Sequence, residues 1–180
     1  PGKKQVSFEV VEAPSEKALG FDPAGFSTGG NATCPFCGTV ADIDYVKAEG
    51  CAGRMRHQLM AIAATRNAHR GKVYISADDL PDYVPNEDLI RNRIDKLCQE
   101  TGLSLPHEPV PQLDSFTCKT HLYGLGRWSD LFSSRQLLSL MRFAAAARST
   151  RDVLRNASFA EGQSTAVATL MAFFVDRLAD

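Results

Sequence analysis

The sequence predicts an α+β protein with a small β-rich half, residues 1–80, followed by a helical half, residues 81–180. Residues 5–12 alternate apolar and polar side chains, which is typical of a half-buried strand. An apolar run at residues 58–65 and a β-branched, aromatic run at residues 72–76 indicate an antiparallel pair. Beyond residue 85, apolar residues recur at helical spacing. Strands and helices are therefore segregated rather than alternating.

Three helices are predicted in the second half. The first covers residues 86–100 and stops at Gly102, with an apolar face repeating every three or four residues. Residues 103–115 contain three prolines and form an extended connector. The second helix starts at Ser133, which forms a capping box with Gln136.

The third helix is predicted from about residue 160 to the end of the chain. Ser158 and Glu161 have the spacing of a capping box. Its apolar stripe follows i, i+3, i+4, i+7 spacing and consists of Val167, Leu170, Met171, Phe174, Val175 and Leu178. The chain begins at Pro1 and stops at Asp180 without a helix stop signal, so we expect it to be a segment of a longer protein.

Composition narrows the class of protein. The chain has 180 residues, of which 44% are hydrophobic and 23% charged, as in a soluble globular protein with one domain or two small ones. Its net charge of −1 creates no overall basic field, so nucleic-acid binding would need a local basic face. Five irregularly spaced cysteines predict a reducing, cytoplasmic location. No signal peptide or membrane-spanning run is present, and no membrane partner is expected.

Residues 34–38, Cys-Pro-Phe-Cys-Gly, have the form of a zinc knuckle. A Cys-x-x-Cys turn directs two sulfurs towards one point, and the following glycine allows the backbone to curl beneath the metal. We therefore predict Cys34 and Cys37 as zinc ligands. With the preceding strand and a loop at residues 14–30, the turn makes half of a zinc ribbon, so this half of the chain is zinc-ribbon-like. Structural zinc takes four ligands, and the turn offers two.

The missing ligands have several explanations. Cys51, His57, Cys118 and His121 are candidates within the chain, and Cys118 with His121 has the spacing that would complete a Cys₃His site. Alternatively, the first ribbon pair precedes Pro1. A third interpretation is a metal-free turn. A fourth is a redox pair, which requires a lowered pKa at one of the two cysteines.

Two further segments have both a functional and a structural interpretation. Residues 42–55 predict a short helix that ends at Gly50 or Gly53, and the following glycines and bases suit either an anion-binding turn or a tight connection. Trp128, with nearby aromatic residues, either presents a stacking face or packs in the core before the second helix. No nucleophile elbow or phosphate-binding loop is present in the sequence.

Several segments together resemble a known family. They are residues 32–38, 45–50, 53–54 and 59–62, then Tyr-Gly at 123–124, Trp-Ser-Asp-Leu-Phe at 128–132, residues 135–138, and residues 170–173 and 176–180. In this order they resemble the large bacterial adenine-specific DNA methyltransferases that contain a zinc ribbon and occur beside phage-defence genes. The resemblance extends from about residue 29 onward, and Trp-x-Asp-Leu-Phe-x-x-Arg-Gln is its most specific part.

The resemblance implies methyl transfer from S-adenosylmethionine to adenine N6 of a flipped base in DNA. The family's catalytic Asp/Asn-Pro-Pro-Tyr/Phe motif and its glycine-rich donor loop are absent from this sequence. We therefore expect a non-catalytic segment, with S-adenosylmethionine bound only by the full-length protein. Cys34 and Cys37 correspond to the second cysteine pair of the ribbon.

The expected task is to hold the remaining methyltransferase segments together or to contact DNA. Candidate DNA-binding residues are Lys47, Arg54, Arg56, Arg127 and Arg135. The alternative is a protein-interaction module that recruits other phage-defence proteins and does not bind DNA.

Overall fold

The computed structural model describes residues 6–67, 70–111 and 119–179. These residues divide into two compact units. The first contains residues up to 85 together with residues 119–125, and the second contains residues 86–111 and 126–179. Of the described residues, 53% are helical and 12% lie in strands, with small antiparallel sheets in the N-terminal half and helices in the C-terminal half. The predicted α+β class is therefore confirmed.

The first unit begins with two 3₁₀ turns, Glu16–Leu19 and Pro23–Phe26. A small antiparallel sheet follows, with strands β1 (Ser27–Thr28), β2 (Asn31–Thr33) and β3 (Val40–Ala41) in that order. Helix α1, Ile43–Cys51, comes next. The Asp42 carboxylate caps it by accepting a 2.8 Å hydrogen bond from the Tyr45 N–H.

A second antiparallel pair lies in the same unit. Strands β4 (Ala61–Thr65) and β5 (Lys72–Ser76) are paired along their full length. Two 3₁₀ turns, Ala77–Asp79 and Pro81–Tyr83, follow. This confirms the predicted antiparallel pair.

The predicted strand at residues 5–12 is wrong for its described part, because residues 6–12 form no strand. Side chains hold this segment instead. The Asp78 carboxylate accepts a 3.0 Å hydrogen bond from the Phe8 N–H, and the Ser76 hydroxyl donates to the Phe8 carbonyl. The Gln58 amide donates to the Val6 carbonyl at 2.7 Å. An alternating pattern specifies which side chains face inward, but a strand also needs a neighbouring backbone.

The second unit contains helices α2 (Glu87–Thr101), α3 (Ser134–Asn156) and α4 (Glu161–Ala179), with α3 packed on both α2 and α4. The predicted start and stop of α2 and the predicted start of α3 are confirmed. The Asn86 side chain caps α2, and Gly102 ends it at φ 65°. At α3, Ser133 and Gln136 form the capping box in both directions.

The predicted capping box at the start of α4 is wrong. Ser158 adopts φ 67° and donates its N–H to the Arg155 carbonyl, so it closes the end of α3. The Glu161 carboxylate binds Arg151 and Arg155 instead, because two guanidinium groups on α3 lie within reach. The Gln163 side chain, rather than that of Glu161, accepts a 3.3 Å hydrogen bond from a backbone N–H at the start of α4, that of Ala160.

Two stretches of chain between α2 and α3 pair with each other through their backbones. Trp128–Leu131 forms a 3₁₀ turn, and the backbone before and inside it pairs with residues 106–110. The Val110 N–H donates to the Gly126 carbonyl at 2.9 Å, and the Ser129 N–H donates to the Pro106 carbonyl at 2.8 Å. Residues 103–111 are thus an extended connector as predicted, and residues 112–115 lie outside the described residues.

Few apolar residues are buried within the described residues. They are Ala77 in the first unit and Ile90, Ile94, Val110, Met141 and Ala147 in the second. In the same part of the chain, no helix has the length and apolar character needed to cross a bilayer.

Candidate functional site

The cysteine turn, residues 34–38, connects β2 to β3. The Cys34 N–H donates to the Thr39 carbonyl and the Gly38 N–H donates to the Cys34 carbonyl, both at 2.9 Å. Gly38 has φ 69°, and a Cβ there would meet nothing within 4 Å. Glycine is therefore needed here because the backbone is left-handed, not because a side chain would collide with a neighbour. The reversal places both thiols on one turn.

The local hydrogen bonds favour the thiolate at one of the two cysteines. The Sγ of Cys37 lies 3.2 Å from the Thr39 Oγ1. Hydrogen bonds from the Thr39 hydroxyl, the Thr39 backbone and the Cys34 thiol lower the pKa of the exposed Cys37 thiol below its ordinary value. A thiolate is the form that binds metal and attacks electrophiles. The direction of this shift meets the requirement of the redox interpretation and also suits a zinc ligand.

Removing the Thr39 hydroxyl should therefore raise the pKa of Cys37. In a Thr39→Val variant, the rate of Cys37 alkylation by iodoacetamide should reach half of its maximum at a higher pH than in the wild type. Mass spectrometry resolves this site from Cys51, which is also exposed and serves as the internal control. An unchanged Cys37 profile would show that Thr39 does not stabilise the thiolate.

The other candidate zinc ligands do not complete the site within the described part of the chain. The Cys51 thiol lies 3.4 Å from the Leu122 carbonyl oxygen, His121 lies in the 3₁₀ turn Thr120–Tyr123, and His57 lies between α1 and β4. Across residues 6–67, 70–111 and 119–179, no three His, Cys, Asp or Glu side chains form a group that could hold a metal ion. Cys118 lies outside the described residues, so its role stays a prediction. The turn supplies two cysteine thiols, whereas a structural zinc site takes four ligands.

A close backbone contact joins α1 to the 3₁₀ turn Thr120–Tyr123. A Cβ on Gly124 would lie 2.5 Å from the Gly50 carbonyl oxygen, and a Cβ on Gly50 would overlap the Tyr123 carbonyl. Gly124 also has φ 80°, in the left-handed region. Both positions therefore require glycine. The sequence alone does not predict this contact. The one local signal for it is a glycine inside a helix, which ordinarily costs stability.

The contact between Gly50 and Gly124 brings together two segments of the resemblance, residues 45–50 and 123–124. The cysteine turn is joined to the same structure, since the Asn31 side chain accepts a 2.9 Å hydrogen bond from the Ile43 N–H at the start of α1. The first unit thus contains one continuous arrangement, from the cysteine turn through α1 to the turn at residue 124.

Two of the predicted DNA-binding residues are paired with acids. The Arg54 guanidinium makes two 2.7 Å hydrogen bonds to the Glu49 carboxylate, and this lowers the pKa of Glu49. The Lys47 ammonium lies 3.6 Å from the Asp44 carboxylate. The positive charge available to a phosphate is therefore reduced at Arg54 and Lys47.

The other three, Arg56, Arg127 and Arg135, are exposed and make no ion pair within the described residues. Arg56 follows α1 in the first unit. Arg127 and Arg135 flank the turn Trp128–Leu131 in the second unit. These three guanidinium groups keep their full charge for a ligand.

The Asp130 side chain fixes the backbone of the Trp128 segment. The Asp130 carboxylate accepts hydrogen bonds from the Gly126 N–H at 3.1 Å and the Arg127 N–H at 2.9 Å. Trp128 is 41% exposed, so its ring is partly packed and partly available. Phe132 belongs to the same unit, but the two rings make no ring-to-ring contact in the described structure.

No protein-family model, curated protein or solved structure matches this chain. Any function proposed for the chain therefore depends on the residues and contacts described above.

Proposed function

We propose that this chain is a non-catalytic segment of an S-adenosylmethionine-dependent adenine-N6 DNA methyltransferase, in which it supports the catalytic parts or contacts DNA. The contact between Gly50 and Gly124 carries the proposal. It explains why glycine occurs in two separate segments of the resemblance. A side chain at Gly50 or at Gly124 would collide with the backbone of the other segment. The partners are DNA and the remaining methyltransferase segments, in the cytoplasm. Other segments bind the methyl donor and supply catalysis.

Zinc is proposed as the structural metal. Cys34 and Cys37 would contribute two thiolates, and two further ligands would come from outside the described residues. When bound, zinc would hold the turn rigid as a platform for the rest of the protein. Two observations support this assignment: both thiols sit on one glycine-closed reversal, and the pKa of Cys37 is lowered. The zinc content of the purified chain should fall in a Cys34→Ser variant.

The DNA-contacting role is assigned to Arg56, Arg127 and Arg135. Arginine binds phosphate through a planar, permanently charged fork. These three side chains carry no competing carboxylate partner within the described residues, whereas Arg54 and Lys47 do. We therefore rank Arg54 and Lys47 below the other three as DNA ligands.

Replacing the three unpaired arginines with alanine tests this role. The triple variant of Arg56, Arg127 and Arg135 should bind a duplex at least about tenfold more weakly at low salt, because phosphate contacts dominate such binding. Fluorescence anisotropy with a labelled duplex measures the affinity. The control is Arg151→Ala, which removes one positive charge, against three in the triple variant, from an arginine already paired with Glu161. Equal affinities for the triple variant, the control and the wild type would contradict the assignment.

A second candidate function is the protein-interaction module of a phage-defence system. The large apolar side chains exposed on α4 favour it, since they offer a surface to a protein rather than to phosphate. A chain that fails to bind duplex DNA even at low salt would support this candidate and exclude the DNA-contacting role.

A further inference from the structure

Most of the residues that helix α4 turns towards α3 are small, whereas five of its large apolar residues are exposed. On its side towards α3, Ala168, Ala172 and Val175 line a crevice with Ala144 and Ala147 of α3. Ser164 is completely buried there, and its hydroxyl donates to the Ala160 carbonyl. The larger apolar residues of α4 point away from this contact. In a helix of a stable monomer, the large apolar side chains ordinarily face the core.

Five exposed residues form what we call the α4 apolar face: Val167 (41% exposed), Leu170 (59%), Phe173 (64%), Phe174 (65%) and Leu178 (57%). At 3.6 residues per turn they fall on one arc of about 140°, on the side of the helix away from the surface that contacts α3. They extend over three turns, about 16 Å along the axis. None of the five carries charge.

The size of this face matches that of a protein interface. Side chains of these types and exposures present about 600 Å² of apolar surface, which is at the upper end for the largest patch of a monomer. Two such faces packed together would bury about 1,200 Å², the lower bound for a specific, stable interface. A symmetric pair of α4 helices therefore reaches this bound when both faces are buried in full.

The charges favour a protein partner over a lipid surface. Interfacial membrane helices carry several lysines and arginines on their polar face. Helix α4 contains one cationic residue, Arg177, and two acidic ones, Glu161 and Asp176. The whole chain has a net charge of −1, so two copies repel each other very little.

We propose that the α4 apolar face is the interface between two copies of this chain. The two helices pack antiparallel about a two-fold axis near Phe173, because opposed helix dipoles attract and a two-fold axis closes the assembly. Val167 of one copy then lies opposite Leu178 of the other. With α3 behind each α4, the assembly is a four-helix arrangement that buries the phenylalanines.

Sedimentation velocity of the full chain tests the proposal. At about 10–100 μM, where weak protein interfaces are occupied, the wild type should sediment with twice the 19.6 kDa mass of one chain. A double variant, Leu170→Glu with Phe174→Glu, should sediment as a monomer. The matched control is Val153→Glu, which places the same charge at a 62% exposed apolar residue on α3, and it should stay dimeric. A monomeric wild type throughout this range would overturn the proposal.

Charge complementation separates loss of the interface from loss of the fold. Phe174→Glu and Phe174→Lys should each be monomeric alone, with the helix content of the wild type by circular dichroism. An equimolar mixture of the two should recover dimer, because opposite charges then meet in the interface. No dimer in the mixture would overturn the proposal. So would binding of the wild type to anionic lipid vesicles without any dimer in solution. Neither experiment requires DNA, so the proposed methyltransferase role stands or fails separately.

Discussion

Replacing Gly124 with alanine should destabilise the first unit by about 3 kcal/mol or more. A left-handed backbone costs a residue with a Cβ about 1–2 kcal/mol, and here the Cβ would also press on the Gly50 carbonyl oxygen at 2.5 Å. Backbone atoms in α1 cannot rotate away as a side chain does, so the helix must shift. Hydrogen exchange of the α1 amides measures the effect, because loss of this contact frees the helix to open.

Gly53→Ala is the matched control. Gly53 also has a left-handed backbone, φ 67°, at the end of the same helix, but its Cβ would meet nothing within 4 Å. This variant should therefore cost only the conformational part, about 1–2 kcal/mol. Similar losses of α1 protection in the two variants would show that the contact between Gly50 and Gly124 contributes no stability.

Replacing Ile94 with alanine should destabilise the second unit by about 2–5 kcal/mol. Ile94 is 4% exposed and belongs to α2, which packs against α3, and a truncated core residue loses its burial and leaves a cavity. Trp128, the one tryptophan of the chain, lies in the same unit and reports its unfolding in urea by fluorescence. The transition midpoint should move to lower urea concentration.

Leu89→Ala provides the comparison on the same helix. Leu89 is 51% exposed, so its truncation should cost less than about 1 kcal/mol. If Leu89→Ala lowered the urea midpoint as much as Ile94→Ala, the assignment of Ile94 to the core would be wrong.

The predictable parts of the fold are those set by local chemistry. Asn86 and Gly102 define the ends of α2, and Ser133 with Gln136 defines the start of α3, since each of these signals acts within a few residues. The cap of α4 failed because Glu161 is drawn to Arg151, ten residues away on α3. A local motif cannot show which distant charge competes for the same carboxylate.

In the candidate site, too, local features could be predicted and long-range contacts could not. The turn at Cys34 and Cys37 could be predicted because spacing and Gly38 specify it. The contact between Gly50 and Gly124 could not, because it joins backbones that lie far apart in the sequence. The pairing of Arg54 with Glu49 was also missed: it crosses the end of α1, where the chain reverses at Gly53, and does not follow helical i, i+4 spacing.

The salt dependence of duplex binding by the wild-type chain tests most directly whether this segment contacts DNA. If Arg56, Arg127 and Arg135 each contact a phosphate, the logarithm of the binding constant should fall with the logarithm of salt concentration with a slope of about −2.7. Between about 50 and 200 mM salt, this slope corresponds to about a 40-fold loss of affinity. A measured slope near this value is the result we predict. Absence of binding at low salt, or binding that does not change with salt, would contradict it.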